Sequence, residues 1–369
     1  MTETPPQLSS IITKQLVSPS ETDRHLSAPS LDPSTTYRDR RSFLYKKCAE
    51  LPKIKPSNTT PIYFYSKSNN VAFCKAPKTG STFIGIVVRA LEYKKDLDRD
   101  IFYVNREIVH GRNEVTLNTV IKRDIRMVLV TRDPFTRLFS AYLDKYYILG
   151  IWGREMAKNI GKDHRKMRAG FCGFNISFEE FYERREDRHT LPVSSLCDPC
   201  SLRYDVICKQ ETLTSDTEHV LEVMNITDQK RQSIVERIHS KTVKDTIFSW
   251  IASHMWYFNI FREDCSNKIL FMDTLWHVLQ LQGYINSSLT FPSDLFEKLS
   301  VFTADRVTEF ILKQMLSSPL TDSQMFLQKK RAVQEAYNRV RPATIARVQD
   351  KFARDFQLFG YDRSPPHTI

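Results

Sequence analysis

The chain has 369 residues, room for one α/β domain of ordinary size or for two. Hydrophobic residues make up 41% and charged residues 26%, which excludes a wholly disordered, collagen-like or fibrous chain. Lys and Arg outnumber Asp and Glu by 54 to 43, and the net charge of +11 suits a polyanionic partner without choosing among nucleic acid, phosphorylated cofactor, anionic polysaccharide and membrane surface.

Residues 1–60 carry Pro5, Pro6, Pro19, Pro29, Pro33, Pro52 and Pro56 among Ser and Thr, with no Gly. Such a stretch buries too little apolar surface to offset its chain entropy, so a disordered stem or tail is expected there. It holds no signal-peptide core, and no run in the chain reaches the ~18–20 apolar residues that span a bilayer. From Pro61 a core-like pattern continues to the C-terminus without repeat or second linker, which predicts one domain over 61–369.

Two strand–loop–helix units follow. Val71-Ala72-Phe73-Cys74 reads as a strand, and Ile84, Val87, Val88 and Leu91 repeat at helical spacing behind a Ser81 or Thr82 cap. Arg126 to Thr131 (RMVLVT) reads as a buried strand; Pro134 opens a helix with Leu138, Tyr142 and Tyr146 on one face. The alternation predicts an α/β fold, a central parallel sheet flanked by helices. Segments 215–240, 294–316 and 323–356 read as amphipathic helix.

The first loop has the parts of an anion cradle. Lys78, Thr79, Gly80, Ser81 and Thr82 leave a buried strand and open a helix. The helix N-terminus offers free N–H groups and partial positive charge, Gly80 admits close backbone approach, the hydroxyls add donors, and Lys78 adds a full charge. It is not a Walker A loop, in which Lys follows the Gly. The bland alternative is an ordinary βα turn. In the second loop Arg132 ends its strand, Arg137 follows, and Ser140 lies two helical turns down on the same side. The bland alternative there is Arg132 paired with Asp133, or a plain surface Ser140. Two such loops suit two separate phosphate-like groups at one sheet edge.

These residues resemble those of the Golgi carbohydrate sulfotransferases. CKAPKTGSTF (74–83) is similar to their 5′-phosphosulfate loop, and VTRDPFTRLFSAYLDKY (130–146) to their 3′-phosphate segment. SFEEFYER (177–184) resembles the F-x-E-F helix, 189–216 the H-W-x-P…C-x-P-C…Y-D…E-T-L…D block, and DFQLFGYD (355–362) the C-terminal D-F-x-L-F-G-Y. The likeness spans about 71–362 and is nearest the chondroitin/dermatan 4-O-sulfotransferase branch. It implies a P-loop-like sulfotransferase fold with helical additions, Golgi residence, and transfer of a sulfuryl group from 3′-phosphoadenosine 5′-phosphosulfate (PAPS) to a glycan hydroxyl. The expected acceptor is an anionic glycosaminoglycan, with no metal and no nucleic-acid partner. The family is normally anchored by an N-terminal membrane helix, and the first 60 residues contain none.

By the same resemblance Lys78 is expected to neutralise charge on the leaving phosphate oxygen. Thr79, Gly80, Ser81 and Thr82 hold the phosphosulfate, and Arg132 and Ser140 the 3′-phosphate. For the base that deprotonates the acceptor, His110, between the two loops, is first choice; His189 is the second, and Glu107 and Glu114 follow. H-W-x-P reads here His189-Thr190-Leu191-Pro192, which lacks an aromatic surface for a sugar.

The seven cysteines, Cys48, Cys74, Cys172, Cys197, Cys200, Cys208 and Cys265, are too sparse for a disulfide scaffold. Cys197-Asp198-Pro199-Cys200 is a zinc or redox pair on spacing alone; the resemblance implies structural, disulfide-bonded cysteines with no assigned pairing. Sequons at Asn58, Asn175, Asn225 and Asn286 matter only in a secretory lumen. Arg154, Lys158, Lys162 and Arg165 or Lys166 form either a stripe for an anionic glycan or a solvated helix face. Two rival functions stay open: a nucleotide-dependent phosphotransferase, and an inactive polyanion-binding relative.

Overall fold

A computed structural model describes residues 33–52, 59–93, 100–111, 113–121, 125–159, 172–173, 176–184, 187–224, 226–263 and 265–366. Its centre is a five-stranded sheet: β1 (Ile62–Ser66), β2 (Val71–Cys74), β3 (Glu114–Thr116), β4 (Arg126–Thr131) and β5 (Val206–Lys209). The spatial order is β3-β1-β2-β4-β5. β2, β4 and β5 run parallel, Phe73 facing Val128 and Val128 facing Val206. β1 pairs antiparallel with both β2 and β3, so the sheet is mixed rather than wholly parallel. The reason is local. Only four residues separate β1 from β2, enough for a hairpin turn but not for a crossover, and Asn70 takes the left-handed conformation there (φ 53°).

Strand alternation sorts the side chains to two faces. Phe64, Phe73, Val128 and Val130 pack against Ile84, Val87, Val88 and Leu91 of helix α2 (Ser81–Glu92). Tyr63, Ala72, Cys74, Met127 and Leu129 face helix α1 (Pro33–Glu50) and later helices. Helix α3 (Pro134–Tyr142), capped by Asp133, continues into a π-helical stretch, Leu143–Tyr147. Next come α4 (Ile151–Asn159), α5 (Phe178–Arg184), α6 (Val193–Cys197), α7 (Leu213–Val223) and α8 (Asp228–His239). Then follow α9 (Val243–Ile260), α10 (Lys268–Leu281), α11 (Ala304–Met315), α12 (Asp322–Asn338), α13 (Pro342–Lys351) and α14 (Ala353–Phe359). α3, α9, α10, α11 and α12 share the largest apolar core, built around Phe135, Tyr146, Phe271 and Trp276. The three segments read as amphipathic are helical over most of their length.

Of the expected stem over 1–60, residues 1–32 and 53–58 lie outside the described residues; the part from Pro33 to Glu50 needs correction, because α1 packs onto the sheet. Leu44 is fully buried, the Tyr37 hydroxyl donates to Asp216 Oδ1 at 2.9 Å, Arg40 pairs with Asp216 Oδ2 at 2.7 Å, and Cys48 is bonded to Cys200. Tyr37, Leu44 and Cys48 recur at i, i+7 and i+11, one face of a helix. An ion pair and a disulfide anchor a segment whose composition is otherwise polar.

The zinc or redox reading of the C-x-x-C is overturned. Cys197 is bonded to Cys74 and Cys200 to Cys48, while Cys172 is bonded to Cys265 and Cys208 is a buried free thiol. The Cys74–Cys197 bond ties the end of β2, where the first loop starts, to α6.

Candidate active site

β2 and β4 are parallel neighbours, so the loops after Cys74 and Thr131 open side by side at the carboxyl edge of the sheet. Both line one cavity of about 1300 Å³ that also receives the loop after β5. Within it the structure gathers Lys78, Gly80, Ser81, Thr82, His110, Arg132, Ser140 and His189. Thr79 is buried beneath the loop, its Oγ1 donating to Ala76 O at 2.9 Å.

The second loop braces the first. Arg132 Nη1 donates to Lys78 O at 2.9 Å, and Arg137 Nε donates to Pro77 O at 2.9 Å. Arg137 is fully buried and also donates to the carbonyl of Leu191, which makes it a structural latch. This bracing holds an unfavourable backbone: Lys78 has φ 69°, costing a non-glycine residue roughly 1–2 kcal/mol. Gly80 has φ 96°, and a Cβ there would collide with Leu213 Cδ2. No side chain caps the N-terminus of α2. Its first amides therefore face the cavity with the positive end of the helix dipole. The alternative pairing of Arg132 with Asp133 does not form; the Asp133 carboxylate instead accepts from Thr136 N at 2.8 Å and caps α3.

The Lys78 ammonium donates to Asp144 Oδ2 at 2.8 Å. Asp144 is 3% exposed and meets three further partners: Arg106 through a short contact, Lys145 at 3.5 Å and His254 at 3.6 Å. Arg106 Nε donates to Ser253 Oγ at 3.0 Å, Ser253 Oγ donates to Glu107 Oε1 at 2.7 Å, and the Arg106 guanidinium lies 4.8 Å from the Trp250 ring centre. Burial pushes Lys78 down to about 8, against the pull of Asp144. Burial alone raises the Asp144 carboxyl, but Arg106, Lys145 and Lys78 together hold it well below the usual carboxylate range. Of this network only Lys78 and Glu107 are expected from the sequence. Asp144 lies seven residues after Arg137, on the same side of its helix as Ser140; that spacing is the only sequence signal for it.

His110 Nε2 lies 3.2 Å from Thr82 Oγ1, while its Nδ1 is buried without a hydrogen-bond partner among the described residues. Burial, with Lys75 and Lys145 nearby, pushes it down to about 4, so the ring is neutral. His189 stands across the same cavity, its ring centre 5.3 Å from Trp152 and its Nδ1 3.4 Å from Asp187 Oδ1. Burial lowers it as well, against Asp187. Trp152 brings an aromatic face to His189 from α4, a position that the missing W of the H-W-x-P pattern did not reveal. Burial alone raises Glu107, but Lys145 and Arg106 reverse this and keep it ionised. Glu114 pairs with Lys75. Of the basic stripe, Arg154 stacks over Phe261; the side chains of Lys158, Lys162, Arg165 and Lys166 lie outside the described residues.

The site is thus a basic, walled cavity with an uncapped helix N-terminus, two cationic loops and a neutral histidine between them. The chain is similar to several carbohydrate sulfotransferases. Carbohydrate sulfotransferase 14 of Danio rerio is 27% identical over 135 residues, 34% of this chain and 37% of its own. Carbohydrate sulfotransferase 9 of Homo sapiens is 25% identical over 215 residues, 51% and 48%. Carbohydrate sulfotransferase 10 of Mus musculus is 27% identical over 242 residues, 56% and 67%. The chain spans between about a third and two thirds of the length of these relatives. No solved structure matches it. The sulfotransferase family profile matches residues 61–257, more than half of the chain and the whole stretch from β1 to Tyr257 that builds most of the cavity wall, so this chain belongs to the sulfotransferase family.

Proposed function

We propose that the chain transfers a sulfuryl group from PAPS to a hydroxyl of a glycan, most specifically an anionic glycosaminoglycan such as chondroitin or dermatan. The observation that carries this reading is the junction of the two loops, Arg132 bonded to the carbonyl of Lys78 in one cavity. A donor with a 5′-phosphosulfate and a separate 3′-phosphate needs two anion seats a few ångströms apart. The α2 amides with Ser81 and Thr82 suit the first, and Arg132 with Ser140 the second.

Each step then falls to a named group. The acceptor oxygen forms a bond to sulfur while the bond from sulfur to the phosphate oxygen breaks. Lys78 meets the charge that grows on that oxygen, a contact stronger in the transition state than before it. The hydroxyl proton passes to His110 Nε2, which is neutral and available at physiological pH. His189 is the alternative base. No metal ligand is needed, since positioning and fixed charge carry the reaction. Trp152 and Trp250 line the cavity as apolar faces for a sugar ring.

Three disulfides suit an oxidising lumen such as the Golgi. No helix among the described residues is long and apolar enough to cross a membrane.

The test is transfer of radiolabelled sulfate from PAPS to desulfated chondroitin, dermatan and heparan, with Lys78→Ala and Arg132→Ala as controls. Labelled glycan with the parent protein and none with either variant supports the reading. Phosphoryl transfer from ATP without sulfuryl transfer contradicts it, as does binding of PAPS and glycan without turnover.

A further inference from the structure

We propose that Lys329 supplies a third contact to the phosphate seated at Arg132 and Ser140, and that it makes the site select a nucleotide carrying a 3′-phosphate. This rests on the donor reading above and extends it to a residue that lies outside both loops. Lys329 sits on α12, some 190 residues beyond Ser140, and lines the same cavity as Arg132, Ser140, Gln282 and Tyr284.

Its place is rigid. The adjacent Gln328 donates through Nε2 to Gln280 O and Ile285 O, both at 2.7 Å, and Tyr337 one helix face along donates to Phe135 O at 3.0 Å. α12 is thereby fastened to both α10 and α3. Gly283 packs beside Lys329: a Cβ on that glycine would come within 3.3 Å of Lys329 Cβ.

The Lys329 ammonium is left without a direct partner: Lys329 has no hydrogen bond or ion pair among the described residues. Burial and the Arg132 cation push its ammonium down to about 8. The nearby carboxylate, Glu211, is committed elsewhere: Oε1 accepts from Asp133 N at 3.0 Å and Oε2 from the Tyr361 hydroxyl at 3.1 Å. Arg132 in turn spends Nη1 on Lys78 O and Nε on Thr136 Oγ1. Arg132 and Lys329 therefore line one cavity with only the Glu211 and Asp133 carboxylates nearby among the described residues, and neither forms an ion pair with Lys329. A dianionic phosphate monoester relieves the repulsion and takes charge-assisted bonds from both.

The experiment titrates 3′,5′-ADP and 5′-AMP into the folded protein by calorimetry, for the parent chain, Lys329→Met, Lys329→Arg and Lys330→Met. Lys330 is the exposed neighbour on the same helix and controls for net charge. Loss of one charged contact to phosphate corresponds to about 10–100-fold in affinity. Lys329→Met is expected to weaken 3′,5′-ADP by that factor and to leave 5′-AMP within about threefold, Lys329→Arg to retain the discrimination, and Lys330→Met to change neither. Unchanged 3′,5′-ADP affinity in Lys329→Met, or equal weakening of both nucleotides, overturns the proposal. A parent protein that binds neither nucleotide overturns the donor reading itself.

Discussion

Replacing Asp144 by Asn removes the negative charge at the centre of the buried network while keeping its shape. In the parent protein the carboxylate lies 2.8 Å from the Lys78 ammonium. At an effective dielectric of ~20 that separation corresponds to about 6 kcal/mol of attraction before desolvation. Removing one partner of a buried pair costs a net ~3–5 kcal/mol, so the variant is expected to melt well below the parent. The more specific effect is on Lys78. Burial already pushes it down to about 8, and Asp144 opposes that push. Without the carboxylate the ammonium gives up its proton at lower pH. Transition-state stabilisation by Lys78 requires that proton, so activity falls as pH rises through its titration. The assay is kcat/KM for sulfuryl transfer from pH 6 to 10, which reports the free enzyme. The parent profile is expected to fall near pH 8; in Asp144→Asn the fall moves down by at least about one pH unit, equivalent to ~1.4 kcal/mol of lost coupling. A variant that melts earlier but keeps its alkaline limb in place refutes the link between Asp144 and Lys78.

Lys78→Met should reduce kcat by about 10²–10³-fold with a smaller change in KM for the donor, measured by initial rates at saturating glycan. His110→Ala should abolish transfer while 3′,5′-ADP affinity stays within about threefold by calorimetry. His110 is pushed down to about 4, so in the parent the acid limb of kcat/KM is expected near pH 4, activity being lost as the base takes up its proton. Retained transfer in His110→Ala moves the role to His189. Gly80→Ala forces a φ of 96° on alanine and crowds Leu213, so donor affinity should fall at least tenfold with a modest loss of stability, read by calorimetry and thermal melting. Cys74→Ser with Cys197→Ser should cost ~2–5 kcal/mol in denaturant unfolding and raise donor KM, because that bond fixes the start of the first loop.

How much of this was legible in the sequence depended on the range of the interaction. The parallel strands β2 and β4 were readable because each is a short apolar run buried on both faces and followed by a helix period. Their adjacency followed from two cationic loops needing one sheet edge. The antiparallel hairpin that places β1 beside β2 was not foreseen, although the short turn Lys67 to Asn70 permitted it. Helix α1 was missed because a Pro- and Ser-rich context hid a stripe of only three residues, Tyr37, Leu44 and Cys48. Its anchors, Asp216 and Cys200, lie more than 150 residues away. Arg106, Trp250 and Lys329 reach the site from elements distant in sequence, and no local spacing announces such partners; Asp144, four residues after Ser140, had only that spacing to mark it. Trp152 shows the same limit: the aromatic face absent beside His189 in the chain is supplied in space by another helix.

The most direct measurement is the position of the two phosphates of 3′,5′-ADP in a crystal structure of the complex. One is expected against the Ser81 and Thr82 amides within reach of Lys78 Nζ, the other between Arg132, Ser140 and Lys329. A nucleotide bound outside the cavity, or with only one of its phosphates in contact with these loops, contradicts the bipartite seat on which the sulfuryl-transfer mechanism depends.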